Sequence, residues 1–518
     1  MKFYIFKQDY ESISRQKNNA TCRLNEGTAV IRYKQWFFEC IGEFGEIITL
    51  DENIEIKQLA SFLNKPDAIF ISVHCFLNNP RFNKVPRRML RLALGAALYL
   101  PEELYTFKYL PSAQVNLLST DFQIDRLKLM FSDLMPRMYS FPSNVDIDYF
   151  VPANKQQKKL ARKKYGLKDR QIHLLYAGRL IITKGICQLI RVLDLWPMHN
   201  IVLTLAGNIE PDNKLAYSSA DHKTFSDYLD NEILQKKRSW LRIISAKNKE
   251  DLRELFWSAD LFVNPSVHPD ENFGVTPREA ASCGLPIVTT NFAGLCPLAQ
   301  SMPWKGLDTY PTISGPRFSL IGLYHLLQVA IKDYKRYSPG DYRKSIINNC
   351  DHAIAKNNLK LAIEYLKTKP AEKPINTDVI SKVKQRLLNV VDQRALELLL
   401  NPKQKLPAGS YVYGDGPFHP VFPIVQGLYS AVSAPPLVEK HTKWRGFFRI
   451  SMWEQERALV EFGFPGLRIK RYSKKMWNTL GKCVGLTKSN DCQIIPRDAV
   501  QVSQVQELVD LGYLVSDD

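Results

Sequence analysis

Short apolar runs alternate with stretches of helical periodicity in two successive blocks of this chain. Short continuous apolar runs suit parallel strands buried on both faces, and successive parallel strands need helical crossovers between them. In the first block residues 3–6, 47–50 and 68–73 read as strands, with helices at 28–41 and 53–63. In the second, strands fall at 173–177, 202–206, 241–245, 261–264 and 286–289. Between the blocks lie Pro142-Ser143-Asn144-Val145-Asp146 and a lysine-rich stretch at 158–164, which together read as a hinge. After Ser319 the pattern turns helical at 323–331 and 359–366, and a polar, proline-containing linker follows at 367–374. The remainder mixes Gly/Pro-rich loops such as Tyr413-Gly414-Asp415-Gly416-Pro417 with helical patterns at 453–462 and 502–511. The expected fold class is α/β: two doubly wound domains facing a cleft, plus a C-terminal α+β extension. The expected spans are 1–150 for an acceptor-side domain, 151–345 for a donor domain, 346–370 for a closing helix and linker, and 371–518 for an appended domain.

A chain of 518 residues is too long for one compact core, and 45% hydrophobic with 24% charged residues is the balance of a folded protein. The nine cysteines form no CxxC pair and are odd in number, so reduced thiols are expected rather than a disulfide framework or a zinc site. The longest apolar run, 92–100, is too short to span a bilayer, and the N-terminal Met1-Lys2-Phe3-Tyr4-Ile5-Phe6 lacks the apolar stretch of a signal peptide. A cytoplasmic protein is the expectation. The formal charge of +18 attracts phosphates, acidic glycans, anionic lipid surfaces or nucleic acid without choosing among them.

Two constellations carry chemistry. The strand ending at Ala177 runs into Gly178-Arg179-Leu180, and Thr183-Lys184-Gly185 then opens a helix. That turn sets two cations and a helix N-terminus at the carboxyl end of a parallel sheet, where open α/β folds bind anions. The strand at 261–264 leads into Pro265-Ser266 and then Glu271-Asn272-Phe273-Gly274-Val275-Thr276-Pro277-Arg278-Glu279. Ionised carboxylates accept hydrogen bonds only and so suit the hydroxyls of sugars and ribose, while Gly274 lets a ligand approach the backbone. Thr276-Pro277-Arg278-Glu279 also fits a capping box, with Thr276 as N-cap, Pro277 at N1 and Glu279 at N3.

Taken in order, these motifs resemble the retaining family 4 glycosyltransferases of GT-B fold, with their E-x(7)-E pattern. They are Gly178-Arg179-Leu180 with Lys184-Gly185, Leu205-Ala206-Gly207, Pro265-Ser266 to Gly274, and Glu279-Ala280 with Cys283-Gly284-Leu285-Pro286-Ile287-Val288. The resemblance covers residues 1–366, most strongly 142–290. It implies two Rossmann-like domains and transfer of a sugar from a UDP-, GDP- or ADP-sugar to a glycan, lipid-linked or protein acceptor, as in polysaccharide biosynthesis. No cofactor or metal is required in that family, and no convincing DxD pair in a strand-end loop contradicts this.

By the same resemblance Arg179 and Lys184 hold the donor diphosphate, with Gly178 beside them. Glu271 contacts the transferred sugar, Asn272, Phe273, Gly274 and Val275 line the donor site, and Glu279 binds the ribose. A histidine of the first domain touches the donor sugar in the family; His74, the only histidine before His173, is the candidate here, although it stands earlier in the chain than expected and reads also as a packed or loop-borne imidazole. The family's Gly-rich loop after the first strand is reduced to Gly27.

Arg81, Lys84, Arg87, Arg88 and Arg91 lead into the apolar run 92–100, which reads either as an amphipathic contact with an anionic membrane or as a buried helix with a charged first turn. Cations and aromatics also interleave at 443–449 and 468–477, as a polyanion-docking face or an ordinary basic surface. Besides a glycosyltransferase, the sequence admits a non-catalytic nucleotide-sugar sensor or scaffold. A nucleic-acid binder ranks last, because no nucleic-acid motif accompanies the charge.

Overall fold

The computed structural model describes residues 1–7, 10, 27–73, 85–92, 112–130, 137–180, 184–196, 200–207, 238–246, 248–268, 271–312, 316–347, 352–372, 436–441, 443–446, 450–453, 458–463, 466–471, 493–510 and 514–516. The first unit is a parallel sheet of β1 Lys2–Phe6, β2 Glu46–Leu50, β3 Ala68–Ser72, β4 Met89–Leu92, β5 Gln114–Leu118 and β6 Met138–Ser140. Its strand order is β2-β1-β3-β4-β5-β6. Helices α1 Gly27–Gly42, α2 Ile56–Leu63 and α3 Asp121–Met130 connect it. Successive residues of a strand face opposite sides. Phe3, Ile5, Ile69 and Ile71 therefore enter one core with Trp36, Phe37 and Ile41 of α1, while Tyr4, Phe6 and Phe70 enter another with Leu59 and Leu63 of α2.

After α4 Lys155–Lys164, a second parallel sheet follows: β7 Ile172–Ala177, β8 Ile201–Ala206, β9 Leu241–Ile244, β10 Leu261–Asn264 and β11 Ile287–Thr289. Its helices are α5 Ile186–Asp194, α6 Lys249–Ser258, α7 Val275–Ser282, α8 Cys296–Ser301, α9 Leu320–Asp333 and α10 Pro339–Ile347. The strand order is β11-β10-β7-β8-β9. Leu174, Tyr176, Leu203 and Val263 pack toward α5 and α9, and Leu175, Ala177, Phe262 and Ile287 pack toward α6 and α7, so this sheet too is covered on both faces.

Helix α11 His352–Lys367 returns to the first unit. Its Ala355, Leu359, Ala362, Ile363 and Leu366 recur at helical spacing and bury against the core of the first sheet. The extension contributes two small antiparallel sheets, β16-β12-β17 and β13-β14-β15. They are built from β12 Trp444–Gly446, β13 Ile450–Trp453, β14 Ala458–Gly463, β15 Gly466–Arg471, β16 Gln493–Ile494 and β17 Leu514–Ser516, beside α12 Ala499–Asp510. Among the described residues no helix is long and apolar enough to cross a membrane.

The expected two-unit α/β class with an α+β extension is thus observed, with corrections at the level of elements. Among the described residues the first sheet has six strands, where the sequence reading named three. Arg87, Arg88 and Arg91 do not begin a helix: Arg91 lies inside β4, and all three are buried. Residues 93–100 lie outside the described residues. The lysine-rich stretch is not hinge but α4, begun by a capping box in which Asn154 and Gln157 bond each other's backbone amides. Arg162 and Lys158 of α4 then hold Asp260 at 2.9 and 3.1 Å. Of the pattern expected to be helical at 453–462, Trp453 and 458–462 lie in strands instead, Ser451 to Trp453 pairing antiparallel with Ala458 to Val460, while 454–457 lie outside the described residues.

Candidate functional site

In the second sheet the chain steps outward from β7 to β8 and β9, then returns to the other side of β7 as β10. The crevice at the carboxyl ends of β7 and β10 is therefore a topological switch point, the place where doubly wound sheets bind ligands. The loops leaving these two strands carry the candidate residues. Gly178 and Arg179 follow β7, and Pro265 through Glu271 follow β10.

Two glycines let the loops close on each other. Gly185 is the N-cap of α5 at φ 72°, and a Cβ there would lie 2.2 Å from the carbonyl oxygen of Pro265. Gly274 is the N-cap of α7 at φ 71°, with a Cβ position 2.5 Å from Leu295 Cδ2. This corrects the capping-box expectation: α7 begins at Val275, Thr276 caps nothing, and Glu279 is free of the N3 role. The left-handed glycine ends the loop two residues earlier than the Thr-Pro pair implies. Neither helix has a side-chain cap, so no cap side chain competes for the first-turn amides of α5 and α7.

Lys184 and Glu271 meet at this point. Nζ lies 2.5 Å from Oε2, and the side chains are 12% and 10% exposed. Burial lowers the Lys184 ammonium from its usual range, Arg179 nearby lowers it further, and Glu271 opposes both. Arg179 NH2 donates to His268 Nε2 at 3.3 Å, which assigns the neutral tautomer with Nε2 unprotonated. Burial, then Lys184 and Arg179, push the His268 imidazole well below its ordinary value. Ser266 accepts from the His268 amide at 3.2 Å, and Thr290 donates to the Ser266 carbonyl at 2.6 Å, so the loop is fixed from beneath. The Glu271 carbonyl accepts from the Gly294 amide at 2.8 Å.

The other candidates flank this group. Phe273 is buried under the Arg278 guanidinium, 4.0 Å from its centroid. Asn272 Oδ1 accepts from Gln123 Nε2 of α3 at 3.2 Å, a contact between the two units. Glu279 stands apart from the Lys184 group. It is buried on α7, and its Oε1 accepts from Arg32 NH1 of α1 at 3.1 Å. Burial raises its carboxyl above the usual range, with Arg32 opposing. His74 lies outside the described residues. His268, Gln123 and Arg32 were not singled out from the sequence. His268 had a readable signal, an imidazole inside the loop that joins Ser266 to Glu271, whereas Gln123 and Arg32 belong to distant helices. Among the described residues no group of three or more His, Cys, Asp or Glu side chains gathers to hold a metal ion.

An uncharacterized glycosyltransferase of Methanocaldococcus jannaschii is 29% identical to the chain over 189 residues, 36% of this chain and 42% of that protein. A D-inositol 3-phosphate glycosyltransferase of Corynebacterium jeikeium is 25% identical over 200 residues, 38% of this chain and 45% of that one. The chain thus spans less than half the length of these curated relatives. The crystal structure of a glycosyltransferase from Rickettsia africae aligns with 71% of this chain and 99% of that chain, at 15% identity and a TM-score of 0.48. Over residues 157–301, which hold Arg179, Lys184, His268, Glu271 and Glu279, the chain matches the family model of the glycosyl transferases group 1.

Proposed function

We propose that the protein is a retaining, metal-independent glycosyltransferase that moves a sugar from a nucleoside-diphosphate sugar to a glycan, lipid-linked or protein acceptor. The observation that carries the reading is the buried Lys184–Glu271 pair beside Arg179 and His268 at the switch point of the second sheet. A salt bridge taken out of water gains little stability of its own, so its placement at a ligand crevice calls for a functional account. A donor would divide the pair: Lys184 turns to the diphosphate and Glu271 to the sugar hydroxyls. With His268 neutral, the pocket holds Arg179, Lys184 and the N-terminal ends of α5 and α7 against the anion.

In the reaction the bond between the anomeric carbon and the diphosphate oxygen breaks, and its electron pair stays on that oxygen. Arg179 and Lys184 stabilise the charge developing there, which in comparable sites contributes roughly 3 kcal/mol. The acceptor oxygen bonds to the anomeric carbon on the face the diphosphate leaves, and its proton passes to a phosphate oxygen. No protein nucleophile is needed, and the anomeric configuration is retained. Gly178 and the backbone of Phe273, Gly274 and Val275 lie along the donor, Asn272 is aligned by Gln123, and Glu279 accepts from the ribose. His74 is kept as the candidate for a donor-sugar contact from the first unit.

The test is a thermal-shift screen of UDP-, GDP- and ADP-sugars, followed by assay of nucleoside diphosphate release and NMR of the released sugar. The expected result is slow hydrolysis of one donor with retained anomeric configuration. Binding without release under every condition would replace the enzyme by a nucleotide-sugar sensor, and inversion would sink the retaining mechanism.

A further inference from the structure

Glu279 has one oxygen satisfied and one not. Oε1 accepts from Arg32 NH1 at 3.1 Å, whereas Oε2 is buried and has no hydrogen-bond partner among the described residues. The side chain of Glu279 is 1% exposed and that of Arg32 35%. A buried acceptor without a donor is costly, which makes Oε2 the natural seat for a ligand hydroxyl. Arg32 comes from α1 of the first sheet and Glu279 from α7 of the second, so the ion pair joins the two units.

The neighbouring charges leave that arrangement little freedom. Asp146, in the connection after β6, accepts from Lys249 of α6 at 2.5 Å and from the Tyr149 amide at 3.0 Å. Lys249 in turn lies 4.1 Å from the Tyr149 ring centroid. Both groups are engaged with one another, although Asp146 and Lys249 still act on Glu279 through space. Among the described residues Arg32 bonds its carboxylate directly, while Arg278 donates to the Gly294 carbonyl and lies over the Phe273 ring.

We propose that Arg32 is a positioning residue for the donor ribose: reaching across from the first unit, it holds Oε1 of Glu279 and leaves Oε2 as the acceptor for a ribose hydroxyl. This rests on the ribose role of Glu279 in the function proposed above. It makes recognition of the ribose depend on the two units being in contact, a dependence that neither unit's own motifs contain.

The experiment is calorimetric titration of the full chain with UDP, GDP and ADP, and then with the 2′-deoxy and 3′-deoxy counterparts of whichever binds tightest. Loss of one hydroxyl should weaken binding to the wild-type protein by about tenfold or more, the strength of a charge-assisted hydrogen bond. In Arg32→Met that discrimination should shrink to within about threefold, while affinity for the deoxy nucleotide barely changes, and Arg32→Lys should regain part of it. A melting curve close to that of the wild type excludes a folding defect as the cause. If Arg32→Met discriminates as fully as the wild type while Glu279→Gln does not, the role of Arg32 is overturned and that of Glu279 stands. If neither variant changes the discrimination, or the wild type shows none, the ribose role of Glu279 falls and the role of Arg32 falls with it.

Discussion

Lys184 and Glu271 neutralise each other in a site that is mostly closed to water. Removing one partner leaves an uncompensated buried charge, so Lys184→Ala and Glu271→Ala should each lower stability by about 3 kcal/mol in chemical denaturation. The double variant should lose less than the sum of the two. His173 supplies a pH test. Burial pushes its imidazole from 6.5 down to about 4, and its Nε2 lies 2.8 Å from Thr204 Oγ1. An unfolded chain takes up this proton near 6.5 and the folded chain does not, so its contribution is complete above 6.5 and is lost as the pH falls toward 4. The loss is on the order of 3 kcal/mol by pH 4, and urea midpoints should show a flatter acid limb in His173→Asn. His268 shifts the same way, so some acid sensitivity should persist in that variant. Sequence reading singled out Arg179, Lys184, Glu271 and Glu279 because they sit at short spacings on the loops after β7 and β10 and on the helix α7 that follows. It passed over Arg32 and Gln123, whose contacts join residues 247 and 149 positions apart in sequence.

Strands and crossovers were legible wherever an apolar run was continuous, and the second sheet matched its expected strands almost to the residue. β4, β5 and β6 escaped because Arg91, Gln114, Asn116 and Ser140 interrupt their patterns although all four are buried. The capping box that Thr276-Pro277 also offered at the N-terminus of α7 is not formed, because Gly274, at φ 71°, admits the helix earlier. Gly274→Ala should therefore destabilise by roughly 1–3 kcal/mol and weaken donor binding, since it strains the backbone and drives a methyl into Leu295. Asn154→Ala, which removes the cap of α4 far from the crevice, should cost about 1 kcal/mol with donor affinity unchanged. A similar loss of donor affinity in both variants would deny the α7 terminus any special part in binding.

The two units meet at more than the site. The guanidinium of Arg343 in α10 donates to the carbonyls of Phe150, Ser282 and Ile147 at 2.7 to 2.8 Å, which ties the connecting chain to α7. α11 crosses back to bury on the first sheet, and β17 lies against α9. The architecture of two facing α/β units was readable from the rhythm of the chain; the crossing contacts were not, because they depend on how loops fold in space. A charge of +18 fits a pocket for anionic donors but does not select one.

The central claim is that Arg179 and Lys184 grip a pyrophosphate at the mouth of the second sheet. Titrating the wild-type protein and an Arg179→Ala, Lys184→Ala double variant with a nucleoside and its diphosphate isolates that grip. The account predicts that the diphosphate binds the wild type at least about 100-fold more tightly than the nucleoside, and that the variant loses most of this difference. Equal affinity for the two ligands in the wild-type protein would contradict it.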